Sequence, residues 1–251
     1  MSNKTLAYLL VIIVLLAAGF FVIWRMNLNK QNKSLGEETE KQQQQTQQIT
    51  GDQANTIQQE QEQNAAVDCE RNFSQATLDS AQVEIKGRTV ELAVKDFGKI
   101  EIELYDGDAP KTVENFLRLI NAGYYDCLTI HRVAKGFVIQ GGDPTGTGAG
   151  GDSAFGGEFE DELNQETKSF QDGYKKGVLA MANRGAHTNT SQFFIMLEDV
   201  SLPSNYTIFG KVAAGQEVVD KIGQVDITPQ LGPTDGKPVF PVVIEKATII
   251  K

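Results

Sequence analysis

From Arg88 onward apolar side chains recur at every second position: Val90, Leu92 and Val94, then, beyond Asp96-Phe97-Gly98, Ile100, Ile102 and Leu104. Successive residues of a strand point to opposite faces, so this spacing demands a half-buried hairpin around a Gly-containing turn. Further strands are predicted at 128–133, 137–140, 177–182, 192–197, 207–212 and 242–250. The chain's 24 glycines agree with a turn-rich β protein, because Gly supplies the positive backbone angles that turns need. One amphipathic helix is expected where Val113, Phe116, Leu117 and Ile120 follow helical spacing between Pro110 and Gly123, and a second over 216–222. Closure hides exposed strand edges, so the expected fold is mainly β: a closed eight-stranded antiparallel barrel capped by two α-helices.

The residues before this domain differ in kind. Residues 6–24, LAYLLVIIVLLAAGFFVIW, form an uncharged run of about the length that spans a bilayer, and are read as an uncleaved transmembrane signal anchor after a short flank at 1–5. A cleaved signal peptide is the rival, but the run continues past the small residues Ala17, Ala18 and Gly19 and ends in Trp24, an interfacial aromatic. Residues 25–67 read as a Gln-rich disordered linker, too poor in large apolar residues to offset chain entropy. A transitional segment, 68–87, leads into the domain at 88–251.

A formal net charge of −10 argues against a nucleic-acid partner and does not favour acidic substrates. Cys69 and Cys127 are the two cysteines, without zinc-site spacing. They are either unrelated thiols or a single disulfide that would imply an oxidising compartment. No cofactor and no metal are expected.

Three motifs invite chemistry. Gly146-x-Gly148-x-x-Gly151 has the dinucleotide fingerprint's spacing, but the following DSAFGGEFEDE lacks the required helical stripe, so a loop beside a groove is the better reading. His131, His187 and Ser191 have no nucleophile elbow and no evident orienting acid, which disfavours a serine triad. His131 is expected to be hydrogen-bonded inside the domain. Arg132 then faces the opposite side, with Ile130 and Ala134, where an arginine is more often a surface ion-pair partner than a catalyst.

The combination alters that judgement. His131-Arg132-Val133-x-x-Gly136-Phe137-Val138-Ile139-Gln140-Gly141-Gly142-Asp143, then Gly177-Val-Leu-Ala-Met-Ala-Asn183 and Thr188-Asn-Thr-Ser-Gln192-Phe193-Phe194-Ile195, resemble the signature blocks of the cyclophilins. The resemblance runs from about Arg88 to Lys251 and includes Thr112-Val-Glu-Asn-Phe116 and Tyr206-Thr-Ile-Phe-Gly-Lys-Val212. It implies a cyclophilin-like barrel and a peptidyl-prolyl cis-trans isomerase that assists folding of proline-containing polypeptides at a membrane surface, with a secondary chaperone role. By the same resemblance Arg132 is the catalytic guanidinium, Gln140 binds the substrate backbone and holds the arginine, and the Asn183 backbone pairs with the residue before proline. Phe137, Val138, Phe194 and Leu202 match the proline pocket; Ala182, Gln192 and Tyr206 complete the substrate-binding set.

Two departures stand out: Tyr206 occupies a position where many members have histidine, and 199–203 lacks the tryptophan on which tight cyclosporin binding depends. Weak cyclosporin binding and a monomer are therefore expected. Charges flanking 6–24 lean toward a cytoplasmic domain, whereas the resemblance favours an outward-facing one, and the expectation follows the resemblance. The alternative function is a weakly catalytic or non-catalytic module that binds proline peptides.

Overall fold

The computed structural model describes Cys69, Phe73, Gln75, Leu78 and residues 88–251. The strands are β1 (Thr89–Val94), β2 (Gly98–Leu104), β3 (Leu128–Thr129), β4 (Arg132–Ala134), β5 (Val138–Gly141), β6 (Val178–Met181), β7 (Phe193–Met196), β8 (Ile208–Ala214), β9 (Ile227–Gly232), β10 (Asp235–Pro238) and β11 (Val243–Ile249). Within residues 88–251 the helices are α1 (Pro110–Asn121), α2 (Lys168–Asp172) and α3 (Gln216–Ile222). All strands join one antiparallel sheet in the order β3-β11-β1-β2-β8-β6-β7-β5-β4-β10-β9.

The strand count corrects the expected closed ring of eight to a sheet of eleven. The segment expected as one strand at 128–133 is two, because β3 pairs with β11 while β4 turns to pair with β5 and β10. The β9/β10 hairpin was not expected at all, since its Pro and Gly content reads as loop. The short α2 was also missed; its N-cap is Thr167, whose side chain accepts a hydrogen bond from the Phe170 amide. The break between β3 and β4 corrects the facing of Arg132 too. Ile130 joins the main core, whereas Ala134 joins a second cluster outside it.

The main core fills the space between the sheet and α1 with Val90, Leu92, Ile100, Ile102, Phe193 and Phe209. Helix α1 buries Val113, Phe116, Leu117 and Ile120 against it, each worth about 1.5–3 kcal/mol when fully withdrawn from water. Its N-terminus is capped from a distance: the Glu162 carboxylate accepts from the Lys111 and Thr112 amides at 3.0 and 2.8 Å and from the Thr112 hydroxyl. A carboxylate there satisfies orphan donors and opposes the helix dipole.

Cys69 and Cys127 are joined in a disulfide across 58 residues, which resolves the two alternatives in favour of the bond. It tethers a segment whose Leu78 is buried in the main core and whose Phe73 packs edge-on to Tyr124 at 5.0 Å. Closing a loop of that length restricts the unfolded chain by up to about 4 kcal/mol. Reduction is therefore expected to lower unfolding free energy by about 2–4 kcal/mol, read from urea midpoints with and without reductant; identical midpoints would refute the contribution.

The expected single-pass membrane location with an outward-facing domain is corrected. No helix among the described residues is long and apolar enough to cross a membrane. Helix α1, the longest element of its kind in the described part, has 12 residues, against about 20 for a span. Residues 6–24, and the linker expected at 25–67, lie outside the described residues.

Candidate active site

Sheet register assembles the site. Arg132 of β4 pairs with Gln140 of β5, Gln140 with Phe194 of β7, and Phe194 with Ala180 of β6. Side chains alternate along each strand, so this row lies on one face, turned away from the main core, with Ala134, Val138 and Met196 beside it. Over the row opens a cavity of about 240 Å³ lined by Arg132, Phe137, Val138, Gln140, Ala182, Asn183, Phe194, Leu202 and Tyr206. Nine of the ten residues named from the sequence thus come together. The tenth, Gln192, is one hydrogen bond away.

Arg132 is held on two sides. Its Nε and Nη2 donate to the two Asp235 oxygens at 2.8 and 2.7 Å, and Nη1 donates to Gln140 Oε1 at 2.9 Å. Gln140 Nε2 in turn donates to Gln192 Oε1 at 2.9 Å, and Gln192 Nε2 to the Gly148 and Gly150 carbonyls at 3.0 and 2.7 Å. Both ends of the Gln192 amide are therefore occupied inside the protein. Gln192 is itself fixed by its neighbours: Ser191 carbonyl accepts from the Tyr125 hydroxyl, and Thr190 carbonyl from the buried Asn115 amide of α1.

The chain of bonds ends on the glycine-rich loop, which wraps a carboxylate rather than a phosphate. Asp143, 1% exposed, accepts from the amides of Thr145, Thr147, Gly148 and Gly150 and from the Thr145 hydroxyl. No helix starts at the end of this loop, and a Cβ on Gly150 would lie 2.3 Å from Asp143 Oδ1, so only Gly allows the approach. Burial alone would raise the Asp143 pKa, but hydrogen bonds from Thr145, Gly150 and Gly148 outweigh it and hold the carboxyl below its ordinary value. A depressed folded pKa gives stability that is complete above about pH 4 and is lost as pH falls through the folded value. Asp143→Ala leaves several inward amides without an acceptor and is expected to cost about 3 kcal/mol. Faster hydrogen exchange at Gly148 and Gly150 is the check, and unchanged exchange would refute it.

The apolar wall is equally supported. Val138 and Phe194 are buried at its base, with Phe137, Leu202 and Tyr206 partly exposed around them. Phe194 and Tyr206 meet edge-to-face at 5.5 Å. Tyr174, which sequence reading missed, pins Tyr206: its hydroxyl donates to the Tyr206 carbonyl at 2.9 Å and accepts from the Tyr206 amide at 3.0 Å. Asn183, which lines the cavity, donates from Nδ2 to the Asn205 carbonyl at 2.8 Å.

The histidines take no part. His131 is buried, with both ring nitrogens lacking a hydrogen bond, which corrects the expected hydrogen-bonded histidine. Burial lowers its pKa, opposed by Asp143 and reinforced by Arg132, so it stays neutral at pH 7. His187 is exposed and bonds to Asp161, while the Ser191 hydroxyl is committed to the Gly142 carbonyl at 2.7 Å. A larger cleft of about 520 Å³ beside Tyr105 and Lys211 contains no arginine or histidine.

Comparison with known proteins agrees with this geometry. The family model of cyclophilin type peptidyl-prolyl cis-trans isomerase/CLD matches residues 89–249. Peptidyl-prolyl cis-trans isomerase CYP18-2 of Arabidopsis thaliana is 46% identical over 154 residues, 61% of this chain and 88% of that relative. A peptidyl-prolyl cis-trans isomerase-like 2 of Cryptococcus neoformans is 41% identical over 66% of this chain but only 28% of its own length, so there the likeness covers one part of a longer protein. The solved structure of a Cryptosporidium parvum cyclophilin type peptidyl-prolyl cis-trans isomerase, in the presence of the dipeptide Ala-Pro, superposes with a TM-score of 0.58 at 36% identity, covering 65% of this chain and 99% of that one. With a family match over most of its length and its fold shared at that identity, this chain belongs to the cyclophilin family and is a peptidyl-prolyl cis-trans isomerase.

Proposed function

We propose that the cavity beside Arg132 binds an X-Pro segment of a flexible polypeptide and that the Arg132 guanidinium assists rotation about the X-Pro bond. That rotation faces a barrier of about 18–20 kcal/mol because twisting breaks amide resonance, and it takes tens to hundreds of seconds uncatalysed, roughly. No nucleophile or proton shuttle is needed. As the amide twists, the proline nitrogen becomes pyramidal and gains a lone pair that a fixed donor can hold.

The observation that carries this reading is the guanidinium itself. An arginine has five N–H donors, and three are spent on Asp235 and Gln140, which leaves two uncommitted on a residue that lines the cavity. Its guanidinium is a planar, rigid fork of donors, so with one edge held the remaining donors keep a fixed direction through the rotation. The proline ring is assigned to the wall of Phe137, Val138, Phe194, Leu202 and Tyr206. The Asn183 main chain is assigned to the residue before proline, Gln140 to the substrate backbone as well as the arginine, and Ala182 and Gln192 to the rim beyond. The Ala-Pro dipeptide of the Cryptosporidium structure is the ligand class that this assignment calls for.

The test is exchange spectroscopy on a peptide with one X-Pro bond, catalysed by the full chain and by Arg132→Ala. Loss of catalysis with peptide binding retained supports the assignment; equal exchange rates with both proteins overturn it.

A further inference from the structure

Asp235 lies 103 residues from Arg132 in the chain, yet takes both the Nε and Nη2 edges of its guanidinium. Three features make this more than a surface ion pair. The contact is bidentate, its side chains are only 26% and 20% exposed, and the carboxylate is carried by a strand, not a loop. Strand β10 pairs directly with β4, with Asp235 opposite Ala134, so Arg132 is the diagonal neighbour on the same face.

The hairpin behind Asp235 is locally built for that position. The β9/β10 register shifts between Asp235 and Gly236, and a Cβ on Gly236 would sit 2.0 Å from the Thr228 carbonyl oxygen. A bulge of this kind re-aims the side chain beside it. Asp235 does not line the cavity, whereas Arg132 and Gln140 do. Its influence on substrate therefore passes through the arginine.

We propose that Asp235 is a positioning residue for the isomerase reaction: it locks one edge of the Arg132 guanidinium so that the remaining donors keep a single orientation toward the twisting amide. The proposal rests on the reading of Arg132 as the catalytic group. Two opposing effects follow from the pair. Partial neutralisation by Asp235 weakens the guanidinium as a donor, while immobilisation keeps it in register. Orientation is the larger effect, because a misplacement of about 1 Å can cost 10²-fold in rate.

Asp235→Ala in the full chain is expected to lower kcat by about 10–100-fold with KM within a factor of about three. Asp235→Asn, which keeps one acceptor for one of the two N–H groups, is expected to fall between alanine and wild type. The Arg132 Nε–H proton should exchange slowly in the wild type and quickly in Asp235→Ala. In an Arg132→Ala background, assayed at high enzyme concentration, Asp235→Ala should cause no further loss. A similar loss in both backgrounds would show a general structural role and overturn the proposal. Faster turnover by both Asp235 variants would show that charge damping outweighs positioning, and would also overturn it. Equal turnover by wild type and Arg132→Ala is a different failure, that of the underlying assignment, and is recognised without any Asp235 variant.

Discussion

Arg132→Ala is expected to lower kcat/KM toward an X-Pro peptide by about 10²–10³-fold, the usual loss when a single preorganised donor is removed from a developing charge. The substitution removes the guanidinium and strands Asp235 and Gln140, whose side chains both bond to it. Arg132→Lys should recover little. A lysine ammonium is a point charge on a flexible stem and cannot meet the two Asp235 oxygens and Gln140 Oε1 in one plane while still offering a fixed donor to substrate. The measurement is peptide isomerisation followed by exchange spectroscopy. Activity within a factor of two of wild type in either variant would refute the expectation.

The largest loss of stability is expected from Phe116→Ala in α1. Phe116 is fully buried and packs against Tyr125, Phe193 and Phe209 at centroid distances of 5.0, 5.7 and 5.2 Å. It thus links the helix to β7 and β8, and β7 carries Phe194 one residue beyond Phe193. Truncation removes the aromatic contacts and leaves a cavity, at a cost of about 3–5 kcal/mol. For a domain of this size that corresponds to a fall in Tm of roughly 6–20 °C. Thermal unfolding checks the value, and a shift below about 3 °C would mean that the aromatic cluster contributes far less than its burial implies.

Both predictions concern residues visible in the sequence for different reasons. Phe116 was legible because helical spacing and the Pro110 and Gly123 boundaries are local patterns, set by which residues lie on one helix face. Arg132 was not legible from its own neighbourhood, where it looked like an ordinary surface charge. It became so only as part of the contiguous segment from His131 to Asp143, whose two halves, β4 and β5, pair directly across a tight turn. Sequence-near pairing of this kind preserves a whole half-site in a readable block, and the alignment of Arg132 with Gln140 follows from it.

What was missed shares one property. Asp235 on Arg132, Glu162 on the N-terminus of α1 and Tyr174 on Tyr206 all act across 32 or more residues. Each is an ordinary polar or aromatic residue in a segment with no unusual local pattern. The β9/β10 hairpin escaped for a related reason. Pro229 and Pro238 argue against central strands because proline cannot donate to a ladder, but Pro229 lies on β9, the outermost strand of the sheet, and Pro238 ends β10 beyond its pairing with β4, where that loss is tolerated. Conversely, Gly146-x-Gly148-x-x-Gly151 looked like more than it was. Of its glycines only Gly148 turns its amide on the Asp143 carboxylate, joined there by Gly150, which is not one of the fingerprint positions, so the loop wraps a carboxylate of the chain itself.

Local pattern alone dictated the β character of residues 88–251, the two longer helices, the inward faces of β1, β2 and α1 and, through blocks that resemble the cyclophilins, the cavity residues from Arg132 to Tyr206. Tertiary structure decided the count of strands, the Cys69–Cys127 bond, the isolation of neutral His131 and the carboxylate that grips Arg132. The division has a physical cause. Periodicity and turn chemistry act over a few residues and leave their mark on the letters, whereas a carboxylate meets a guanidinium 103 residues away only after β10 has docked beside β4.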